Sequence, residues 1–412
     1  MTPRVHLGHI LHSLRRHQLT VLILIIEVAF SFSVVCNMAL MASHRVLAWH
    51  QESGLQESGL GMLSSTDRSS TGGDNHWART VEAMRAIETI SGVEAVAAVQ
   101  SLPLNGNSYN ISFSRSLPAD SGNGEGVQVN AFIGSPNMVK LLGLEITKGR
   151  SFTRDEYVLN KDQGAALAEA GSVLVSEQLA RKLFGLRNAL GQVVYVERHP
   201  MRIIGIVKHL LSPAPTLGAE NELTAIVPVL PNSDTITFLV RARSTDLDRM
   251  LHRSAQALFT ANPNGVIENV WPYEDLRMKY FQHDVAMLRL MIYALVALLV
   301  VTIIGIAGLV SFWVSRRGKS IGVRRALGAL RSDIIFHFLV ENICVVVAGL
   351  CVGVAGAYTL NAYLIRHYGE SPMSVIFLLF GIVLMVVAGQ LASLGPAVRA
   401  AKIPPSAAMR GM

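Results

Sequence analysis

The sequence predicts an α-helical membrane bundle of four transmembrane helices, one before and three after a large two-lobed α/β domain outside the cytoplasm. Three observations carry that reading. Half of the 412 residues are hydrophobic and only 16% are charged, an apolar excess over ordinary soluble domains. Windows 19–42, 290–314, 343–365 and 373–394 hold one charged residue between them, Glu27, and each can cross a hydrocarbon core of ~30 Å at about 1.5 Å per residue. Basic residues gather in the short segments beside those windows, which is how cytoplasmic flanks are marked.

Residues 1–18 carry Leu7, Ile10, Leu11 and Leu14 at helical spacing, so they read as an amphipathic helix at the cytoplasmic interface. His6, His9 and His12 have no carboxylate or cysteine beside them, and a metal site would need such company. The span at 19–42 is too long for the apolar core of a cleaved leader. No small-residue cleavage site follows it, and Val34-Val35-Cys36 lacks the small residue expected before a lipidated cysteine. It is read as a retained anchor.

The domain at 43–288 contains no cysteine, since Cys36, Cys344 and Cys351 all fall within spans; a domain of this size builds its core without disulfides. It opens with Gln-Glu-Ser-Gly-Leu at 51–55, repeated at 56–60, followed by a Ser/Thr/Gly/Asp-rich stretch to Asn75. That composition predicts a flexible tether or mobile loop. From Trp77 the texture changes: Trp77, Val81, Met84 and Ile87 mark an amphipathic helix that Gly92 ends. Strands are expected at 93–99, 109–113, 127–133, 173–175, 193–196, 203–207, 224–229 and 235–240. Ser176 can cap a helix that stops at Gly185, and Ser244 or Thr245 another with Asp246 and Asp248 in its first turn. Such alternation predicts an α/β domain.

The second span, 289–315, leads into a cytoplasmic loop at 316–333. The third span (334–365), an outer turn (366–372), the fourth span (373–395) and a cytoplasmic tail (396–412) complete the chain. Gly305 and Gly308 in the second span, with Gly349, Gly353 and Gly356 in the third, allow close helix approach. The inward segments hold 12 of the 36 basic residues and 1 of the 29 acids, a local net of +11 against +7 for the whole chain. The basic balance therefore belongs to the membrane flanks and is no sign of nucleic-acid binding.

Chemistry is sparse. Gly318-Lys319-Ser320 ends like a phosphate-binding loop, but the required glycine five positions earlier is Trp313. Nucleophile elbows, His-Glu-x-x-His and Cys-x-x-Cys pairs are missing from the sequence, so the chain is expected to be non-catalytic, without a cofactor or metal of its own. Among membrane polar residues, Glu27, Glu341 and Asn342 stand out. They read either as transport coordinates or as interhelical hydrogen-bonding groups.

The most specific segment begins Arg-Arg-Gly-Lys-Ser-Ile-Gly-Val-Arg-Arg-Ala-Leu-Gly-Ala at Arg316 and runs on to Glu341. It resembles the second cytoplasmic loop of the MacB/FtsX-type (type VII) ABC transporter permeases, with Ile321, Gly322, Arg324, Ala326, Leu327, Gly328, Ala329 and Glu341 fitting the family pattern. Ser135-Pro136, the 141–144 and 149–152 motifs, the helix after Ser176 and the ending from Pro396 to Ala401, with Pro404 or Pro405, Ala407 and Arg410, agree with that family. The resemblance implies a MacB-like periplasmic core domain on a permease subunit of the bacterial inner membrane, both ends of the chain cytoplasmic. It implies mechanotransmission from a separate cytoplasmic ABC ATPase, which would bind ATP and Mg, through Ser320, Ile321, Gly322, Val323, Arg324, Arg325, Ala326, Leu327, Gly328 and Ala329.

A second permease chain is implied too, with a periplasmic adaptor and outer-membrane duct as further partners. Efflux of a peptide, antibiotic or lipid-like substrate is the leading expectation; an FtsX-like regulator of cell-wall hydrolases and a lipoprotein-release permease are the alternatives. Ser320 departs from the family's Glu at that position. The missing carboxylate reads either as weakened ATPase docking, tolerable beside a second, different permease chain, or as a neutral exchange in a mainly apolar and basic contact.

Overall fold

In the computed structural model, residues 18–68, 76–117, 126–160, 163–196, 198–215, 220–328, 330–368 and 371–402 are described. The amphipathic helix expected over 1–18 falls almost wholly outside them, and so do residues 69–75, Ala329 and the tail from 403. The chain divides into two units, one comprising residues up to Leu47 and from Asp284 onward, the other Ala48–His283.

In chain order the elements are α1 (Gln18–Trp49), β1 (Leu60–Asp67), α2 (His76–Glu88), β2 (Val93–Val99), β3 (Tyr109–Ser114), β4 (Val127–Ile133), α3 (Met138–Leu141), β5 (Ile146–Gly149) and β6 (Val158–Leu159). Then come α4 (Gln163–Glu169), β7 (Ser172–Ser176), α5 (Glu177–Phe184), β8 (Val193–Val196), β9 (His199–Val207), β10 (Thr224–Val227), β11 (Val229–Leu230) and β12 (Thr235–Ala242). The last are α6 (Leu247–Ala261), β13 (Gly265–Pro272), α7 (Tyr273–Tyr280), α8 (Gln282–Arg316), α9 (Gly318–Ala326), α10 (Arg331–Tyr368) and α11 (Val375–Ala401).

Among the described residues four helices, α1, α8, α10 and α11, are long and apolar enough to cross a membrane. Hydrocarbon offers backbone groups no partner, which is why such runs are helical throughout. On α1 the buried residues Leu24, Val28, Phe32, Cys36 and Leu40 recur every four positions and form one stripe of the bundle core. α10 meets that stripe with glycines: a Cβ on Gly349 would lie 2.8 Å from the Val28 side chain, and one on Gly353 2.9 Å from Phe32. The close approach is then hydrogen-bonded. Ser33 Oγ donates to the Gly353 carbonyl at 2.9 Å and Asn37 Nδ2 to that of Ala357 at 3.1 Å. Ser31 and Thr302 join α1 to α8 through their hydroxyls at 2.8 Å, and Arg45 pairs with Asp284. Gly308 differs from the expectation: it has no neighbour within 4 Å of a Cβ position, because it faces away from the other helices. α11 continues through Pro396 to Ala401.

The second unit holds two principal sheets. The first is antiparallel, in the order β13-β1-β12-β2; α2 and α6 contribute Ile87, Met250 and Leu258 to the cluster it shares with Val96, Phe238 and Val240. The second runs β5-β9-β7-β10-β4-β3-β8, and β8 also pairs with β9. That extra pairing closes six strands into a ring whose interior holds Phe113, Val129, Val175, Val196 and Ile203. A bridge between Val99 and Gly134 connects the sheets. Leu60, Met62 and Val99 from the first and Phe132, Leu174 and Ile226 from the second share one buried cluster.

Segment 51–68 is the main correction to the sequence reading, since it is structured rather than a tether. Residues 60–67 form β1, an interior strand paired on both sides, with Leu60 and Leu63 fully buried. Its Ser/Thr-rich end is stabilised by cross-strand hydroxyl pairs, Thr66 with Thr235 at 3.0 Å and Ser64 with Thr237 at 3.3 Å. Those partners lie some 170 residues away, so the local composition does not reveal them.

The Ser176 cap is as expected: its Oγ accepts from the Leu179 amide at 3.2 Å, and Gly185 closes α5 at φ +64°. Neither Ser244 nor Thr245 caps α6. They lie in a short 3-10 turn, and Asp246 takes the N-cap position without a side-chain cap bond.

Arg150, from the motif at 149–152, makes two bonds to Glu156, at 2.7 and 3.0 Å. Glu156 also accepts from the Thr153 amide at 2.8 Å. Arg150 first, then Thr153, holds the Glu156 carboxyl down at about 2. A depressed carboxyl stabilises the fold above its unfolded value and loses that contribution as pH falls through its folded value. The melting temperature of the full chain should therefore exceed that of Glu156→Gln above pH ~5, and the gap should close as pH drops from ~4.5 towards 2. Ser176→Ala should cost about 1 kcal/mol, seen as a lower Tm of the detergent-solubilised chain.

Candidate coupling site

The segment expected as a loop at 316–333 is largely helical, which corrects the sequence reading. α8 ends at Arg316, Arg317 takes the N-cap position, and α9 runs over Gly318–Ala326. The Ile321 amide donates to the Arg317 carbonyl at 3.0 Å and the Leu327 amide to that of Val323 at 3.1 Å. Gly328 stops the helix at φ +95°, a conformation glycine adopts without strain. Asp333 then accepts from the Leu330 amide at 3.1 Å and opens α10.

The short helix has two faces. Ile321 is buried among Val310, Trp313, Ile334, Phe338 and Ala397, and Gly322 is buried beside it. Val323, Leu327 and Leu330 are exposed to 53%, 83% and 66%. Ala326 and Gly328 lie on the exposed side and Arg325 is half-buried. Ala329 lies outside the described residues, and so do the side chains of Ser320 and Arg324. Three large apolar side chains uncovered within eight residues form a patch that water penalises until something covers it.

Arg317 fastens this helix to the bundle. Its Nη1 donates to both Glu341 carboxylate oxygens, at 2.7 and 3.0 Å, and Glu341 is only 1% exposed. The next residue, Asn342, donates to the Gly389 carbonyl at 2.9 Å and lies 3.4 Å from Ser393 Oγ. A polar chain thus runs from the start of α9 through α10 to α11. Of the membrane polar residues picked out in the sequence, Glu341 and Asn342 belong to this site.

Glu27 does not. Its carboxylate lies against Gly305, where a Cβ would collide with it, one turn from the Ser31–Thr302 bond. Sequence reading counted Arg317 only as positive charge. The usable signal was Glu341 itself, an acid at a membrane entry that requires a cation within reach.

With this geometry in place, comparison with known proteins becomes informative. The family model described as FtsX-like permease C-terminal matches residues 292–405. That described as MacB-like periplasmic core domain matches residues 19–258, more than half of the chain. The chain belongs to the MacB/FtsX permease family. Its C-terminal part is thus of the FtsX-like permease type, with helices apolar enough to cross a membrane, and its N-terminal part carries a periplasmic core domain of the MacB type.

YknZ of Bacillus subtilis (strain 168), an uncharacterized ABC transporter permease, is 25% identical over 284 residues, 65% of this chain and 66% of that one. The macrolide export ATP-binding/permease protein MacB of Burkholderia lata is 29% identical over 219 residues, 49% of this chain and 30% of that one. This chain thus spans just under two-thirds of YknZ and about a third of the MacB relatives. The crystal structure of the extracellular domain of YknZ aligns at 14% identity with a TM-score of 0.32, covering 50% of this chain and all of that domain.

Arg317→Ala removes a cation bonded to a buried carboxylate, a kind of change that costs about 3–5 kcal/mol. The double change Arg317→Met with Glu341→Leu should lose much less. Thermal unfolding of the solubilised full chain distinguishes the two variants.

Proposed function

We propose that this permease passes ATP-driven motion from a separate cytoplasmic ATPase to its extracytoplasmic domain. The observation that carries the reading is the apolar face of α9, Val323 and Leu327 with Leu330 beyond it, on a helix bonded into the bundle by Arg317–Glu341. A partner seated there would cover the patch. Push on that helix would reach α10 through Glu341 and α11 through Asn342.

The fuller arrangement in this reading is one span before and three after a two-lobed domain, in a bacterial inner membrane, with both ends of the chain cytoplasmic. The clustering of Arg316, Arg317, Lys319, Arg324, Arg325 and Arg331 around α9 supports placing it on the cytoplasmic side. A second permease chain completes the unit, and the ATPase supplies the ATP and Mg chemistry. The site assignment covers Ser320 to Ala329. The macrolide-export role of the MacB relatives supports extrusion of a peptide, antibiotic or lipid-like substrate, with a periplasmic adaptor and outer-membrane duct as further partners.

Tagged full-length protein purified from native membranes should bring an ABC ATPase with it. Replacing Val323, Leu327 and Leu330 together by Ser should reduce that recovery about tenfold or more, since a few buried apolar anchors dominate such interfaces. Ser320→Glu should raise it. Recovery of no ATPase, or undiminished recovery with the triple variant, sinks the proposal.

A further inference from the structure

The tandem Gln-Glu-Ser-Gly-Leu repeat is held by its own backbone. In each copy the glycine is left-handed, Gly54 at φ +80° and Gly59 at φ +72°. A Cβ on Gly54 would strike the His209 carbonyl, just beyond β9, and one on Gly59 the Ala242 carbonyl at the end of β12. Both copies thus press a left-handed glycine against a carbonyl, the first beside the ring-closed sheet and the second beside the four-stranded one.

Donors from both sides capture carbonyls before, between and at these glycines. Arg277 Nη1 donates to the carbonyls of Trp49 and Gln51, both at 3.0 Å. Its Nη2 donates to Glu57 at 2.6 Å, and that same oxygen accepts from Ser53 Oγ at 2.6 Å. Arg241 donates to Gln56 at 2.8 Å, to Ser58 at 3.0 Å and, through Nε, to Leu141 at 2.8 Å. The Leu211 amide takes the Ser53 carbonyl at 3.1 Å and the Ala242 amide that of Gly59 at 3.0 Å. Six of the eleven carbonyls from Trp49 to Gly59 are thus bonded to α7, to β12 or to the segment after β9.

A segment bonded at such density cannot act as slack. We infer that residues 49–60 are a transmission strap, with Arg277 and Arg241 as its positioning residues. The chain enters this unit at Ala48, in the last turn of α1, and leaves it after α7, at His283 in the first turn of α8. Arg277, on α7, ties the departing chain to the arriving one, and the paired turns deliver a displacement of Trp49 to both sheets. This rests on the mechanotransmission reading above and specifies where motion enters the outer domain.

The test is hydrogen exchange on the permease–ATPase complex from native membranes, with and without ATP and vanadate. In the natural protein the Gln56 and Leu60 amides, bonded to the Leu142 and Glu57 carbonyls, should be protected, and ATP should alter exchange in β9 and β12. In Arg277→Ala those two amides should exchange about tenfold faster or more, and the ATP-dependent change in β9 and β12 should vanish. ATPase recovery, hydrolysis rate and protection of β4 and β10 should stay unchanged, which a merely misfolded domain would not show. Inserting Gly-Gly between Leu55 and Gln56 should behave in the same way, so the inference survives failure of one variant to fold.

If both variants keep the natural ATP-dependent change, or if residues 51–60 of the natural protein exchange as freely as a loop, the strap is overturned. If no ATPase is recovered, the functional reading fails instead, while exchange of Gln56 and Leu60 still decides whether the segment is rigid.

Discussion

A carboxylate sealed from water where a helix enters a membrane must be compensated, and Arg317 does this for Glu341. Much of this end of the bundle follows from that pair. Arg317 occupies the N-cap position of α9, so anchoring its guanidinium also sets where the short helix begins. Ile321 then turns into the bundle core, and a residue four positions from a buried one shares its face only if helical phase is kept. Val323 and Leu327 are out of phase with Ile321, so they are held outward by the same geometry that holds Ile321 in.

Both units use one device to become stiff: side-chain donors that take up backbone carbonyls. A carbonyl oxygen has two lone pairs, so even one already bonded within a helix can accept again. In the bundle Ser33, Asn37 and Asn342 use the carbonyls of Gly353, Ala357 and Gly389, in stretches where small residues let the helices meet. In the outer unit Arg241 and Arg277 use those of residues 49–58. An apolar contact can slide while keeping its buried area, whereas a directional bond cannot. Elements joined in this way are suited to move as bodies.

The spans, the α2 helix, the Ser176 cap and most strands were legible because each has a local cause: an apolar run, a 3.6-residue period, a capping hydroxyl or a run of β-branched residues. β1 was not. Its Gly-Met-Leu-Ser-Ser-Thr sequence reads as a linker, and it is a strand because β12 and β13, distant in the chain, supply its partners. β13 was missed for a related reason, since Asn269 at φ +53° and the Pro272 end interrupt the usual strand pattern. At the candidate site the sequence singled out a segment and an acid that the structure joins through Arg317. It could not show that Arg317 reaches Glu341, because that contact depends on where α8 ends and α9 begins.

The same geometry gives the Ser320 departure a physical meaning. Counting from the Arg317 cap, Ser320 is the third helical position of α9, and the first turn contains no acid. A carboxylate there would face the positive end of the helix dipole and could accept from free backbone amides, a gain of about 0.3–1 kcal/mol. In a nine-residue helix, below the length at which isolated helices are stable in water, that is a sizeable share of its local stability. In the proposed reading a Glu at position 320 would therefore have two separable effects, ordering the helix and contacting a partner. α9 is already held to the bundle by Arg317–Glu341 and by the buried Ile321, so a Glu at position 320 would add to an order that those two contacts supply.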